Sequence, residues 1–408
     1  MTQIATSRPG VLRLLRDPTI GWYLTGKVLS SCGMWVQNIA AAVLMFDLTR
    51  SAFMVGIVSV AQFLGPLVLA MWAGSLSDRV DRRKLLGAGR LLSGLAVTTL
   101  AALLSIRGVA DFGGPAVLLG AVLVLGVGMA MSVPAMQALI PSLVEPEDLE
   151  SALALSSAAP SIARTVGPAL GAGLLVVGGP AITFVVAGAS HLVFALILVF
   201  IRPRRTQTRP DRRPKLLGGI KYLLDDRKAG ALMLAVAGLG IGADAVVTLG
   251  PSKADELGGG GELVGLLASA FGLGAVLFLF ILGPLRRRTT LRNVGSSGYW
   301  ILAAGMGLAG VATVTPLTTL GMLVAGVGFM MGSVALNTRI QRRIPDHLRG
   351  RVMALWVVAF VGSRPVAALI NGSIAELVSV RAAFLAGALL TLLAIPLVRV
   401  RYDADPAT

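Results

Sequence analysis

The sequence predicts an all-α, polytopic membrane protein: twelve transmembrane helices in two pseudo-symmetric six-helix bundles. Three observations carry that prediction: the apolar composition, the spacing of the apolar runs, and the likeness of one half to the other. Of 408 residues, 55% are hydrophobic and only 14% charged, with mean hydropathy +0.81. A soluble fold with that balance has too little polar surface to face water, and disorder needs low hydrophobicity. The 50 glycines and 20 prolines would break helices in water. In a bilayer glycine lets helices approach, and neighbours re-satisfy the backbone that proline frees.

A spanning helix takes roughly 20 mostly apolar residues. Such runs lie near 19–46, 53–76, 86–106, 115–136, 153–177, 181–201, 229–250, 262–284, 294–313, 316–337, 352–375 and 381–399. Connections as short as Gly178-Gly179-Pro180 and Thr315-Pro316 suit only hairpin turns between antiparallel neighbours. Arg8, Arg13 and Arg16 precede a first run without a small-residue cleavage site, so that run is expected to stay as a helix.

Basic residues orient the chain. With the N-terminus in the cytoplasm, 29 of the 36 lysines and arginines fall inside, and only Arg50, Arg107, Lys253 and Arg381 fall in outer loops. Trp22, Trp72, Trp300 and Trp356 then lie near cytoplasmic helix ends, where an aromatic belt belongs. The expected location is the inner (cytoplasmic) membrane, with both termini cytoplasmic. The net charge of +16 is explained by topology, and no stretch offers a soluble nucleic-acid recognition module.

The longest connection, 202–228, is rich in arginine and proline and divides the chain. It implies a first bundle over 1–201, a cytoplasmic linker over 202–228 and a second bundle over 229–408. Its basic run suits membrane lipid. Pro146-Glu147-Asp148-Leu149-Glu150-Ser151 and Pro345-Asp346-His347-Leu348-Arg349-Gly350 stand 199 residues apart, each before a helix. Internal duplication of that kind marks a six-plus-six architecture.

The loop after the second run reads Gly74-Ser75-Leu76-Ser77-Asp78-Arg79-Val80-Asp81-Arg82-Arg83-Lys84. It resembles the signature of the major facilitator superfamily, with Asp81 where that signature has glycine. Gly283 to Arg288 is the matching loop of the second half and has no acid. The stretches Ala135 to Val144, Arg164 to Gly171 and Pro345 to Val352 resemble the enterobactin-exporter and macrolide-efflux branch, drug–proton antiporters among them. Gly167, Pro168, Gly171 and Gly173 also resemble the exporters' fifth-helix motif. Close helix packing at Gly167 and Gly171, with a bend at Pro168, explains the same residues without the family. The resemblance implies export of a small molecule (a drug, siderophore or secondary metabolite) by alternating access with proton antiport. Uptake, or transport of a lysophospholipid, is the alternative. Drug–proton antiporters often carry an arginine in the fourth helix; Leu118 to Val133 has no charged residue.

Ionisable groups in mid-span are costly and normally face a cavity or a partner. Lys27 lies about two turns into the first run, near enough to its end for the stem to snorkel. Asp244 lies about 20 Å into the seventh run at roughly 1.5 Å per residue. Arg164 and Arg364 lie 200 residues apart in corresponding runs. Two readings stay open for them: basic groups at a central cavity, or groups bound to helix-end or acidic partners, Asp244 included. The candidate substrate and coupling residues are Lys27, Asn38, Gln62, Arg164, Asp244, Arg364 and Asn371; Gln37 and Asn337 add polarity. Candidate gating residues are Gly74, Asp78, Arg79, Arg82, Arg83, Gly167, Pro168 and Gly171. A cytoplasmic latch is expected to join Asp78 to the helix start near Arg349 and Arg351. A second contact of inverted polarity would join Arg286 and Arg287 to Glu147 and Asp148.

No P-loop, HExxH or GxSxG motif is present, His191 and His347 lack metal-ligand spacing, and Cys32 is the single cysteine. The chain is therefore expected to be no enzyme and to need no cofactor. Its expected partners are a small-molecule substrate, a proton and lipid, and its expected state is a monomer.

Overall fold

In hydrocarbon every backbone N–H and C=O must be paired within the protein, which leaves a chain this apolar little choice but the helix. The computed structural model describes residues 11–106, 113–204 and 216–400, and no strand occurs among them. The spanning helices are α1 (Ile20–Thr49), α2 (Ala52–Arg79), α3 (Arg82–Ile106) and α4 (Pro115–Leu139). A helix over Leu149–Phe200 follows, 52 residues long. It would measure about 78 Å, against a hydrocarbon core of about 30 Å, so it has to break. It does so at Gly179, whose φ of 64° and ψ of −170° are open to glycine but strained for other residues. Its two arms are α5 (149–178) and α6 (180–200).

Then come α7 (Arg227–Thr248), α8 (Gly261–Arg288), α9 (Leu291–Val311), α10 (Thr315–Arg343), α11 (Asp346–Leu377) and α12 (Val380–Leu393). Eleven stretches among the described residues are long and apolar enough to cross a bilayer. One of them, Val166–Phe200, contains the Gly179 break, so its two arms bring the passes to twelve. The predicted linker carries a short helix, Leu216–Asp225, and residues 205–215 of it lie outside the described residues.

Local chemistry explains the helix starts. Asp81 Oδ1 accepts hydrogen bonds from the amides of Arg83 (2.8 Å) and Lys84 (3.4 Å) at the head of α3. The departure from the signature glycine is thus an N-cap. Asp226 caps α7, Thr290 caps α9 and Ser379 caps α12 in the same way. Large apolar side chains point outward, among them Phe200, Phe280 and Leu377, as a lipid-facing surface requires.

The chain forms two compact units. One contains residues 1–37, 64–167 and 178–211; the other contains 38–63, 168–177 and 212–408. The boundary cuts α1, α2 and α5, so one end of each belongs with the C-terminal helices. Within the first unit, α3 and α4 cross where Gly89 faces Gly128: a Cβ on either would lie 2.6 or 2.5 Å from the other's carbonyl oxygen. Within the second, α9 and α10 cross in the same manner at Gly305 and Gly321, at 2.6 and 2.8 Å. The repeated crossing is the structural form of the duplication.

A backbone cannot yield to a new side chain as a flexible neighbour can. Gly305→Leu is therefore expected to destabilise the protein by about 1–3 kcal/mol. Gly307→Leu is expected to be near neutral, because nothing lies within 4 Å of a Cβ there. Thermal unfolding of the two variants in detergent checks this, and equal midpoints would refute the crossing.

Candidate functional site

The second unit holds a charged cluster in mid-span. Gly240 lets α7 approach α11 so closely that a Cβ there would lie 2.7 Å from the Phe360 carbonyl oxygen. One turn further along each helix, Asp244 meets Arg364. Asp244 has no exposed surface and Arg364 very little. Thr248, one turn on from Asp244, donates its hydroxyl to Asp244 Oδ2 at 2.7 Å. Oδ1 stands 3.6 Å from Arg364 Nε, an ion pair too long for a good hydrogen bond, and it has no hydrogen-bond partner. Asn371 is buried on the same face of α11, and neither of its amide atoms meets hydrogen-bond geometry. The Arg364 guanidinium lies 5.5 Å over the Phe63 ring of α2, a cation–π contact. Of the two readings open for Arg364, pairing with Asp244 is what the structure shows.

The first unit holds a second polar cluster along one face of α1. Tyr23 donates to the Met136 carbonyl at 2.6 Å. Lys27 does not snorkel: it is 3% exposed, and its Nζ donates to Ser156 Oγ of α5 at 2.5 Å. The tightly packed core around Tyr23, Leu24 and Phe194 leaves the stem no path to the helix end. Ser30 Oγ lies 2.7 Å from His191 Nδ1, and His191 Nε2 lies 3.4 Å from Gln37 Oε1. A neutral ring protonated on Nε2 satisfies both contacts, accepting from Ser30 and donating to Gln37.

Several residues escaped the sequence reading. Arg90, one turn inside the edge of the 86–106 run and not singled out there, is buried in α3, its guanidinium 5.9 Å over the Phe194 ring. Lys253, counted in an outer loop, is 3% exposed and donates to the Gly310 and Ala312 carbonyls at the end of α9. Helix start positions were the missing signal: α3 begins at Arg82, which puts Arg90 two turns inside. Ser156, Thr248 and Phe63 carried no signal, since serine, threonine and phenylalanine are common in spans.

Of the remaining candidates, Asn38 and Gln62 are buried. The side chains of Asp78, Arg164, Arg286, Arg287, Arg349 and Arg351, and the surroundings of Gly74, lie outside what the structure describes, and so does the latch built on them. Arg79 and Glu147 are exposed, and Asp148 is buried. Arg82 donates to the Ala138 carbonyl at 3.0 Å, and Arg83 to that of Ile201 at 2.7 Å. Both cap helix C-termini, of α4 and α6. Gly167 admits the Trp35 side chain of α1, whose Cβ would lie 2.5 Å from a Cβ at 167. Pro168 and Gly171 are buried.

A corner of the second unit joins the α1–α2 turn to later helices. Arg50, the one non-glycine residue with positive φ (53°) among the described residues, pairs with Asp255 at 2.9 Å. Ser51 donates to Glu376 of α11 at 2.8 Å. Gly56 lies against the Ala368 carbonyl, and Gly372 against Ala52. A cavity of about 340 Å³ opens beside this corner, lined by Asp47, Arg50, Asp255 and the glycines of the α7–α8 connection.

Twelve helical passes with charges held in mid-span define a multi-pass membrane protein of the secondary transporter class, with the major facilitator fold. Residues 11–404 match the transmembrane secretion effector family, and the chain belongs to it. It is 27% identical over 381 residues to the enterobactin exporter EntS of Shigella boydii serotype 18, covering 90% of this chain and 88% of that one. The same figures hold for the EntS of Escherichia coli O81. Among solved structures it is similar to a bacterial homolog of the human lysosomal transporter Spinster, inward-facing and unoccupied. That likeness has a TM-score of 0.73 at 14% identity and covers 96% of this chain and 97% of that one. A bacterial homologue of the iron transporter ferroportin, also inward-facing, gives a TM-score of 0.70 at 16% identity, covering 96% of this chain and all of that one. The family and these neighbours are transporters and not enzymes.

Outside the spans, Arg343 of α10 hydrogen-bonds Asp226 through Nε. Burial pushes the Asp226 carboxyl up, but Arg343 and the amides of Ala229 and Lys228 outweigh burial and hold it below 3.8. A depressed carboxyl stabilises the fold above its unfolded pKa and loses that contribution as pH falls through the folded one. Asp226→Asn is expected to lower the unfolding midpoint at neutral pH. Its deficit relative to wild type should shrink as pH drops below 3.8; a pH-independent deficit would contradict the ion pair.

Proposed function

We propose that the chain exports a small molecule across the cytoplasmic membrane by alternating access, driven by proton antiport, with Asp244 exchanging the proton. The observation that carries this reading is the open valence on Asp244: a fully buried carboxylate whose Oδ1 lacks a hydrogen bond. A proton or a donor group of the substrate can occupy that oxygen, but not both. Mutual exclusion at one atom is the requirement of antiport. Arg364 supports the deprotonated carboxylate at 3.6 Å, so losing the proton does not leave an uncompensated buried charge. The similarity to the enterobactin exporters favours export and a metabolite-sized cargo.

In this reading the α1–α2 corner is the outer closure. It is held by the Arg50–Asp255 pair, by Ser51 with Glu376, and by the glycine contacts of α2 with α11. The Arg50–Asp255 pair is exposed on both sides, and such pairs contribute only about 0–1 kcal/mol. Opening is therefore cheap enough for a substrate or a proton to drive it.

The test begins with a deletion strain and the compound it retains. Proteoliposomes under an imposed pH gradient should expel that compound with wild-type protein. Asp244→Asn should lose gradient-driven transport, down to the rate of empty vesicles, while keeping downhill exchange. Arg364→Gln should impair both, at unchanged membrane abundance. Gradient-driven export that survives in Asp244→Asn would remove the carboxylate from coupling, and accumulation instead of expulsion would reverse the direction.

A further inference from the structure

Among the described residues, the buried cations of the first unit have no acidic partner. Lys27 and Arg90 are 3% and 6% exposed. Each lies about 10–12 Å from the start of its helix at 1.5 Å per residue. Phe194 of α6 lies between their helices: the Arg90 guanidinium of α3 lies over its ring at 5.9 Å, and Gly26 of α1 is close enough that a Cβ there would touch that ring. Arg90 is near enough to repel Lys27. Among the described residues no carboxylate is within ion-pair distance of either, and Asp17 is taken by Arg204 at 2.5 Å.

Donors are in surplus as well. An ammonium carries three donors and a guanidinium five. Lys27 has one acceptor, Ser156, and Arg90 Nε has no hydrogen-bond partner. His191 is occupied by Ser30 and Gln37 and supplies no negative charge. In the second unit the mid-span arginine has its acid, Asp244. Two buried cations without an acid are costly as they stand and are relieved by an anion.

We propose that Lys27 and Arg90 form a binding site, within the α1–α3–α5–α6 bundle, for an organic monoanionic group carried on the transported molecule. This rests on the reading of the chain as a small-molecule transporter. It narrows the cargo to compounds bearing a carboxylate or a similarly delocalised single charge. Such a group accepts two or more hydrogen bonds at once, which matches the free donors.

Direct binding tests it without any transport. Full-length protein purified in detergent is unfolded thermally with sodium benzoate, with benzamide, or with sodium chloride at equal ionic strength. Benzoate should raise the midpoint by about 1–3 °C over chloride, and neutral benzamide should not. The benzoate shift should vanish in Lys27→Gln/Arg90→Gln and persist in Lys27→Arg. If the double variant does not fold, Lys27→Gln alone should halve the shift or remove it. No benzoate shift in wild type, or an equal shift in the double variant, overturns the site. Stabilisation by phosphatidylglycerol micelles in place of benzoate assigns the cations to lipid and also overturns it. Because no gradient is involved, a protein that binds benzoate yet moves no compound defeats the transport proposal and leaves this one standing.

Discussion

Two helices in water are driven together by the apolar surface they hide. Two helices in lipid gain nothing of that kind, because the lipid tail is as apolar as leucine, and association rests on close contact. Glycine supplies that contact here, by bringing backbones to within carbonyl distance. Gly89 with Gly128 and Gly305 with Gly321 hold the paired crossings of the two units. Gly240 sets the spacing of α7 and α11, and that spacing decides how far Asp244 stands from Arg364. Gly26 sets α1 against Phe194, over which Arg90 lies. The geometry of both charged clusters therefore follows from residues that have no side chain.

Much of the fold is legible in the sequence because its signals are one-dimensional. Spans are runs of apolar residues, and the α5–α6 break is announced by Gly178-Gly179-Pro180. The candidate site is legible only in part. A charge in an apolar run can be located, but its direction cannot. Arg364 could be seen as a mid-span cation with two open readings; that its Nε stands 3.6 Å from Asp244 could not be read from the sequence. Lys27 looks near enough to a helix end to snorkel, yet packing around Phe194 closes that route. Arg90 was invisible for a simpler reason. Hydropathy places the span at 86 and so leaves the arginine at its edge, while the N-cap by Asp81 starts the helix at Arg82. A residue outside the family signature thus moved a charge from loop to core.

The basic residues divide by what they touch. Arg82, Arg83, Lys253 and Arg339 all donate to carbonyls at the C-terminal ends of helices, of α4, α6, α9 and the short helix Ile395–Val398. Those carbonyls have no partner within their own helix and carry the negative end of its dipole, so a cation there satisfies both needs. Each of these cations is thereby held by backbone at a helix end, Arg82 and Arg83 within the signature loop itself.

The mid-span charges differ in that respect. Asp244 has one oxygen bonded to Thr248 and one open. Lys27 has a single hydroxyl for its ammonium, and Arg90 has an unpartnered Nε. Folding alone gives no reason to retain such groups, since an apolar residue in each place would cost less. Their cost is returned only when something arrives to complete them. The two clusters differ in what would complete them: a proton or a donor at Asp244, an anion at Lys27 and Arg90. Under the proposed antiport, a proton completes only the carboxylate and leaves the cations of α1 and α3 to an anion.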